Sequence, residues 1–214
     1  MRRLIHLVFQ PASRLVRLAL GEKRLVADPQ MADDTHAHMP QFIDLDGTTV
    51  TGLWAILDHI EGTYPEIPLV PDDAVLRGEA LRWLDWTTTV LGDQVTRKIV
   101  AEKANPRYTG TPTRSTPDVS VIRAGRDALR ELIPFLGETV DKNGNLICRD
   151  LTIADLSLAA HLSSLDYFGE VPWDSNQGLR EWYMRMKSRP SFRTLLADRV
   201  PGQPPIKYYA DLDF

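Results

Sequence analysis

Residues 65–71 (PEIPLVP) contain three prolines in seven positions and separate two different sequence patterns. Proline fixes φ, lacks an amide donor and pushes the residue before it toward an extended conformation. Such a segment cannot continue a helix or a central strand, so it predicts an extended linker. We therefore expect a first domain over residues 1–64, a second domain over residues 72–199 and an extended tail over residues 200–214.

The residues before this linker alternate between strand and helix patterns. An apolar run is followed by an amphipathic stretch with Ser13 at the expected N-cap position. Farther on, Asp46-Gly47 is a dipeptide typical of tight hairpin turns. This order of elements predicts a small α/β domain. The predicted strands cover residues 4–9, 25–27, 41–45 and 48–50, the helices lie within residues 11–24 and 51–65, and residues 28–39 are predicted to be loop.

Most of the chain after the linker has helical periodicity. Thr152 and Asp155 have the spacing of a capping box, in which each residue pairs with a backbone N–H group of the first helical turn. The second domain is therefore predicted to be all-helical. Its predicted helices run from Asp72 or Asp73 to about Lys103 with a bend at Gly92, over residues 119–139 with an interruption near Pro134, from Thr152 to Phe168, over residues 178–187, and from Pro190 to Asp198.

Charge and composition exclude several classes of function. The formal net charge of -4 argues against a protein that binds nucleic acid through phosphate contacts. No apolar run approaches the roughly 18 residues needed to span a bilayer, so no membrane insertion is expected. Cys148 is the only cysteine, which fits a reducing cytoplasm. The basic residues near the N-terminus are predicted to form a solvated face: Arg2, Arg3, Arg14, Arg17, Lys23 and Arg24.

Four segments together resemble the glutathione transferase family over nearly the whole chain. They are PASRLVRLAL, Met39-Pro40 before the hairpin, DLDGTTVTGLWAILDHIEGTYPE, and LTIADLSLAAHL. The resemblance implies a thioredoxin-like N-terminal domain followed by an all-α C-terminal domain. It also implies a cis peptide bond before Pro40, and a structural rather than catalytic role for Asp155.

The resemblance further implies where glutathione would bind. In that family the pocket uses a hydroxyl near the first helix, the backbone beside the cis-proline, and an acid–serine pair after the hairpin. The matching positions here are Ser13, Met39-Pro40 and Thr51-Gly52, so the acid and the serine are both missing. Loss of such charge-assisted partners costs about 1.5–3 kcal/mol each. The pocket is therefore predicted to be degenerate, with Ser13 as the catalytic hydroxyl only if the protein is an active transferase.

The C-terminal residues are similar to one branch of this family, the alphaproteobacterial FtsZ-binding, glutathione-transferase-like cell-division proteins. SSLDYFGEVPWD, WYMRMKSRPSFRTLLADRVPG and YYADLDF carry this similarity. It implies a non-catalytic homodimer that has no cofactor. Such a protein binds FtsZ, alters the bundling and curvature of its filaments, and acts with other division proteins at the division site. The alternative is an enzyme that conjugates glutathione to small electrophiles. The predicted partner-binding residues are Tyr208, Tyr209, Asp211, Leu212, Asp213 and Phe214.

Several other features have two interpretations. The tail is predicted to be held extended by Pro201, Pro204 and Pro205, although it could instead fold back on its own domain. Residues 33–38 include two aspartates and two histidines (Asp33, Asp34, His36 and His38), but their spacing matches no metal site and a polar loop explains them. Cys148, beside Arg149, could be a reactive thiol, but a buried or half-buried core cysteine is predicted. His161 is predicted to lie in the core or at an interface.

Overall fold

The computed structural model describes residues 1–33, 39–111 and 116–212. Its first part contains a four-stranded mixed sheet in the order β2-β1-β3-β4. β1 pairs with β2 in parallel and with β3 antiparallel, and β3 and β4 form the predicted hairpin. The strands are β1 (Arg2–His6), β2 (Ala27–Met31), β3 (Gln41–Ile43) and β4 (Thr49–Thr51), and the helices are α1 (Pro11–Glu22) and α2 (Leu53–Thr63).

The first strand is shorter than predicted because its last apolar residues leave the sheet. The Gln10 amide donates to the Leu7 carbonyl at 3.2 Å, which turns the chain after β1. The Phe9 amide donates to the Tyr108 carbonyl at 3.0 Å, and the Phe9 ring is fully buried. The apolar run is thus divided between the sheet and the contact with the helical part.

Residues 28–31, which were predicted to be loop, belong to β2. The loop was predicted because residues 28–39 are polar and show no periodicity, and β2 also contains Pro29, which lacks the amide donor that a ladder needs. The Ala32 amide donates to the His6 carbonyl, so the backbone amides of even-numbered residues in β2 face β1. The backbone nitrogen of Pro29, which carries no hydrogen, therefore faces the open edge of the sheet. Proline is tolerated in that orientation on an edge strand.

The predicted solvated face on the first helix is wrong for three of its basic residues. Arg14 is fully buried, Arg17 is 9% exposed and Lys23 is 5% exposed. The Lys23 ammonium donates to the carbonyls of Tyr64 and Ile67 at 2.8 Å. This fixes the start of residues 64–73, which contain no helix or strand. The division into domains at this segment stays a prediction.

The described residues after this segment are mainly helical, which confirms the predicted fold class. Asp73 caps the first of these helices by accepting hydrogen bonds from the amides of Val75 and Leu76. Among the described residues, no helix is both long and apolar enough to cross a membrane. The α-helices are α3 (Ala74–Trp86), α4 (Arg97–Lys103), α5 (Val119–Asn143), α6 (Ile153–Tyr167), α7 (Gln177–Lys187) and α8 (Arg193–Leu196).

Two predicted features of the long helices differ from the structure. The stretch before α4 is not a bent α-helix but contains a π-helical segment, Thr87–Thr96. The Thr88 and Thr89 hydroxyls donate to carbonyls of the preceding turn, and such bonds compete with the regular helical ladder. The predicted interruption at Pro134 is also wrong, since α5 continues to Asn143. Packing of α5 against α4 and α7 offsets the one backbone bond that Pro134 cannot make.

Helix α6 is the centre of the molecule, and each of its residues is buried. The predicted capping box is confirmed. The Asp155 carboxylate accepts hydrogen bonds from the Thr152 amide at 2.8 Å and from the Leu146 amide at 2.8 Å. Asp155 therefore holds the loop before α6 as well as the first turn of the helix, and α1 packs across the same helix.

Candidate functional site

A cavity of about 250 Å³ lies where the end of the sheet meets the helical part of the chain. The loop after β1 contributes Phe9 and Gln10, the start of α2 contributes Leu53, and the remaining wall comes mainly from the π-helical segment and α4. Arg97 is the only described lining residue with a formal charge, and it pairs with Asp93 at 2.8 Å. The cavity is therefore largely neutral, with a cation at one side.

Ser13, the candidate catalytic hydroxyl, is fully buried and does not line this cavity. Its Oγ accepts a hydrogen bond from the Leu7 amide at 3.2 Å and donates to Gln10 Oε1 at 2.8 Å. The predicted N-cap role is wrong, because Gln10 occupies the N-cap position and Pro11 begins the helix. Proline is common at the first position of a helix, where no backbone donor is needed. Ser13 instead holds the β1–α1 loop from inside.

The other predicted pocket residues lie together at the junction of β3 and β4. The Met39–Pro40 peptide bond is cis, as predicted. The Gly52 amide donates to the Pro40 carbonyl at 2.8 Å, and Thr51 Oγ1 accepts from the Gln41 side chain at 3.1 Å. Gly52 has a φ of 94°, a region that favours glycine. None of these four residues lines the cavity described above, and the described cavity wall contains no carboxylate.

His161 reaches the cavity from the central helix, and sequence reasoning missed this position. Its Nδ1 lies 3.0 Å from Thr96 Oγ1, so the tautomer decides which atom donates. Burial, with a smaller contribution from the Arg97 charge, lowers the pKa of His161 to about 3. The imidazole is therefore neutral near pH 7. It acts as a hydrogen-bonding group in the cavity wall rather than as a charged one.

The C-terminal segment folds back on the chain and is not extended as predicted. Residues 200–203 and 207–210 form turns. The Tyr209 ring is fully buried, and its hydroxyl donates to the Leu195 carbonyl at 3.2 Å. The Tyr208 side chain is 37% exposed, Leu212 is 42% exposed and Asp211 is exposed. Of the described tail residues predicted to bind a partner, Tyr209 is held inside the chain and the other three reach solvent.

Arg14 is the buried group that holds this segment. Its guanidinium donates to Tyr209 Oη at 3.0 Å, to Ser163 Oγ at 3.1 Å and to Asp198 at 3.2 Å. Asp198 also accepts a bidentate pair from Arg17 at 2.9 Å. Burial alone would lower the pKa of Arg14, but Tyr209 and Asp198 outweigh it and the pKa is raised. No local pattern in the sequence indicated this contact, because Tyr209 and Asp198 lie far from Arg14 along the chain.

A row of aromatic rings connects the cavity to the C-terminal segment. The Phe9 ring lines the cavity and packs against Tyr167 with ring centres 4.7 Å apart. Tyr167 in turn packs against Tyr209 at 5.1 Å. The two regions that the sequence predicted separately therefore share one buried core.

The remaining predicted positions carry less information. Asp34, His36 and His38 lie outside the described residues, as do Asp213 and Phe214. Asp33 is exposed, and no group of metal-ligating side chains occurs among the described residues. Cys148 is half-buried, and its Sγ lies 3.6 Å from the Asp150 carbonyl oxygen.

The mixed sheet, the cis-proline at the start of β3 and the all-helical second part define a protein of the glutathione transferase fold. A glutathione S-transferase from Rhodospirillum rubrum F11 superposes over all of both chains with a TM-score of 0.93 and 37% identity. A glutathione S-transferase from Sinorhizobium meliloti 1021 also superposes over all of both chains, with a TM-score of 0.89 and 30% identity. No protein-family profile matches the chain.

Within this fold, the chain belongs to the family of FtsZ-localized protein A. It is 38% identical over 227 residues to FtsZ-localized protein A of Caulobacter vibrioides, covering 100% of this chain and 98% of the relative. The solved structure of FzlA from C. crescentus superposes on all of this chain and 99% of its own, with a TM-score of 0.91 and 37% identity. The predicted family resemblance is thereby confirmed.

Proposed function

We propose that this protein is a non-catalytic, glutathione-transferase-fold protein that associates with FtsZ at the division site. The observation that carries the proposal is the 38% identity, over the whole chain, to a protein named for its localisation with FtsZ. The finer part of the proposal is that it regulates the bundling and curvature of FtsZ filaments, and so constriction, together with other division proteins.

The geometry of the cavity supports a non-catalytic role. The Ser13 hydroxyl is buried and already bonded to Gln10. At residues 51 and 52 the chain has a threonine and a glycine, where a carboxylate and a hydroxyl would hold the γ-glutamyl end of glutathione. Both groups that such a reaction needs, an available hydroxyl and a charged anchor, are thus missing from these positions.

We place the FtsZ contact at the end of the tail, beyond the buried Tyr209. Asp211 and Leu212 are exposed, and they supply a charge and an apolar side chain next to each other. The test is co-sedimentation with polymerised FtsZ. The full chain pellets with filaments, and a chain ending at Ala210 does not, while its free energy of unfolding stays unchanged because Tyr209 is retained.

Two controls separate the tail contact from FtsZ association itself. Asp211→Lys reduces pelleting, whereas Asp127→Lys, on the exposed face of α5, does not. If the shortened chain pellets as well as the full chain, the tail contact is wrong. If the full chain stays in the supernatant, FtsZ association is wrong.

We also propose a homodimer that forms through a partly exposed aromatic cluster: Trp83, Trp86 and Phe135. The three ring centres lie 5.3–6.0 Å apart, Phe135 is 47% exposed, and the two tryptophans are half-buried. Aromatic rings that reach the surface are typical anchors of protein interfaces. In analytical ultracentrifugation Phe135→Glu sediments as a monomer, whereas Val119→Glu, also on α5 and 64% exposed, leaves the dimer intact. A dimeric Phe135→Glu variant would rule out this face.

A second candidate function, conjugation of glutathione to small electrophiles, is favoured by one observation. The cavity of about 250 Å³ is lined by Leu53, which follows Gly52, and the Gly52 amide donates to the carbonyl of the cis-proline Pro40. Calorimetric titration with glutathione and an aryl-halide assay test it directly. Heat of binding together with turnover supports the enzyme, and a flat titration at millimolar glutathione removes it.

A further inference from the structure

A groove of about 500 Å³ lies between the end of α5, the loop before α6 and the last turns of α7. It shares no lining residue with the cavity described above. Three arginines line it, one from the loop, one from α7 and one from just beyond that helix: Arg149, Arg185 and Arg189. We call this feature the arginine groove.

Two of the arginines are held toward different elements of the protein. Arg185 donates to the Gly144 carbonyl at 2.8 Å, at the end of α5. Arg189 donates to both carboxylate oxygens of Glu22 in α1, at 2.7 and 2.8 Å. Because these anchors lie on different elements, the two guanidiniums are not gathered around one point. They suit several negative charges spaced along a chain better than one small anion.

Arg149 has no such anchor. It is exposed, and its guanidinium forms neither a hydrogen bond nor an ion pair with any described residue. The backbone amides of Asn145, Arg149 and Leu151, which also line the groove, donate to no residue that the structure describes. This side of the groove therefore consists of hydrogen-bond donors that the fold itself does not use.

One carboxylate, Asp141, belongs to the described lining, and it lies away from the arginines. It packs against Gly178 in the first turn of α7, whereas Arg185 follows about 10 Å later along the helix axis. Within the described part of the chain, Asp141 forms no ion pair with any of the three arginines. The groove therefore has an excess of positive charge, on a chain whose formal net charge is -4.

The floor of the groove is apolar. Val140 and Met186 are 1% and 3% exposed, and Leu151 is half-buried. No aromatic ring belongs to the described lining, so a nucleic-acid base would have nothing to stack on. Acidic side chains can meet the arginines while a neighbouring apolar side chain covers the floor. Arginine clusters are a recurring means of recognising acidic motifs in proteins.

We propose that the arginine groove binds an acidic segment of a partner protein, in which carboxylates are interspersed with apolar side chains. The carboxylates accept hydrogen bonds from Arg149, Arg185 and the loop amides, and an apolar side chain packs on Leu151. Charge complementarity argues for this occupant, since a basic segment would be repelled by the guanidiniums. The inference does not rest on FtsZ association, and no residue of the tail lines the groove.

The test uses a capped, fluorescent hexapeptide in which pairs of glutamates are separated by leucines. The control peptide carries lysines in place of the glutamates. Fluorescence anisotropy measures binding to the full chain at low ionic strength, where exposed charges are screened least. The acidic peptide binds saturably, and the basic peptide does not. In two-dimensional NMR spectra the amide signals of Asn145 and Arg149 shift as the acidic peptide is added.

Two charge reversals separate the groove from the net charge of the protein. Arg149→Glu weakens binding of the acidic peptide about tenfold, because one attraction is lost and a repulsion replaces it. The variant folds normally, since the Arg149 guanidinium bonds to no described residue. Arg123→Glu makes the same change at an exposed position of α5, about 25 Å from Val140 along the helix, and binds as the unaltered chain does.

The other outcomes each overturn the proposal. No binding at millimolar acidic peptide, or equal weakening by both reversals, would remove the groove as a site. Displacement of the peptide by inorganic phosphate at equal concentration would assign the groove to a small anion. Tighter binding of a single-stranded oligonucleotide, lost in Arg149→Glu, would assign it to nucleic acid. Self-association that excess acidic peptide reverses would assign it to a second copy of this chain.

Discussion

Replacing Tyr209 with phenylalanine tests whether the buried arginine holds the C-terminal segment. The change keeps the ring that packs on Tyr167 at 5.1 Å and removes only the hydroxyl. That hydroxyl accepts from Arg14 at 3.0 Å and donates to the Leu195 carbonyl at 3.2 Å. Because Leu195 also accepts from the Asp198 amide, the main loss falls on the guanidinium.

The magnitude follows from the burial of both groups. A hydrogen bond to a charged group is worth about 1.5–3 kcal/mol. Arg14 keeps its bonds to Val8, Ser163 and Asp198, so one of its contacts is lost and the charge remains paired. We expect Tyr209→Phe to lower the free energy of unfolding by about 2 kcal/mol, which corresponds to about 4–8 °C in Tm for a chain of this length.

Urea denaturation followed by tryptophan fluorescence measures this difference, with Tyr208→Phe as the matched control. Tyr208 is the adjacent residue and is 37% exposed, so its change costs about 0.5 kcal/mol or less. Limited proteolysis after residue 200 also increases in Tyr209→Phe. Equal stability of the two variants would refute the idea that the Arg14–Tyr209 contact anchors the segment.

Three further changes test other parts of the structure. His161→Gln flattens the dependence of stability on pH between about 6.5 and 4. The pKa of His161 is lowered to about 3 in the folded chain, so the unfolded chain takes up a proton first as the pH falls. The contribution of His161 to stability is therefore full above pH 6.5 and decreases by about 1.4 kcal/mol per pH unit below it. Urea titrations across this range measure it, and identical slopes would contradict it. Pro134→Ala restores a backbone donor on the exposed side of α5 and raises the free energy of unfolding by about 1–3 kcal/mol. A decrease in that free energy would mean that the proline ring itself packs against neighbouring side chains. Asp155→Ala leaves buried amide donors without an acceptor and lowers stability by about 3 kcal/mol or more, and a loss below 1 kcal/mol would be inconsistent with the capping box.

Local signals predicted elements whose residues interact with near neighbours in sequence. The turn at Asp46-Gly47 and the capping box at residues 152–155 are confirmed, and both depend on contacts within a few residues. The first helix shows where such signals fail. Ser13 matched an N-cap by residue type, but Pro11 shifted the helix start by three residues, and the serine hydroxyl became part of the buried β1–α1 loop.

Amphipathic patterns also failed where more than one element covers a helix. Arg14 and Arg17 look solvent-facing because charged residues usually are. In the folded chain they meet Asp198 and Tyr209, which lie about 180 to 195 residues away in sequence. A pairing over that distance leaves no periodic trace, since only the tertiary fold brings the partners together.

The sequence by itself predicted the fold class and the family, because the order of strands and helices and the motifs of the family can be read locally. That the acid and the serine of the family's pocket are missing at Thr51-Gly52 stays a prediction. Only the tertiary structure decided how the C-terminal residues divide, with Tyr209 buried on Arg14 and Asp211 exposed. It likewise decided that β4 has an open edge. Burial and edge position depend on which distant segments pack together, and single-residue patterns do not encode that.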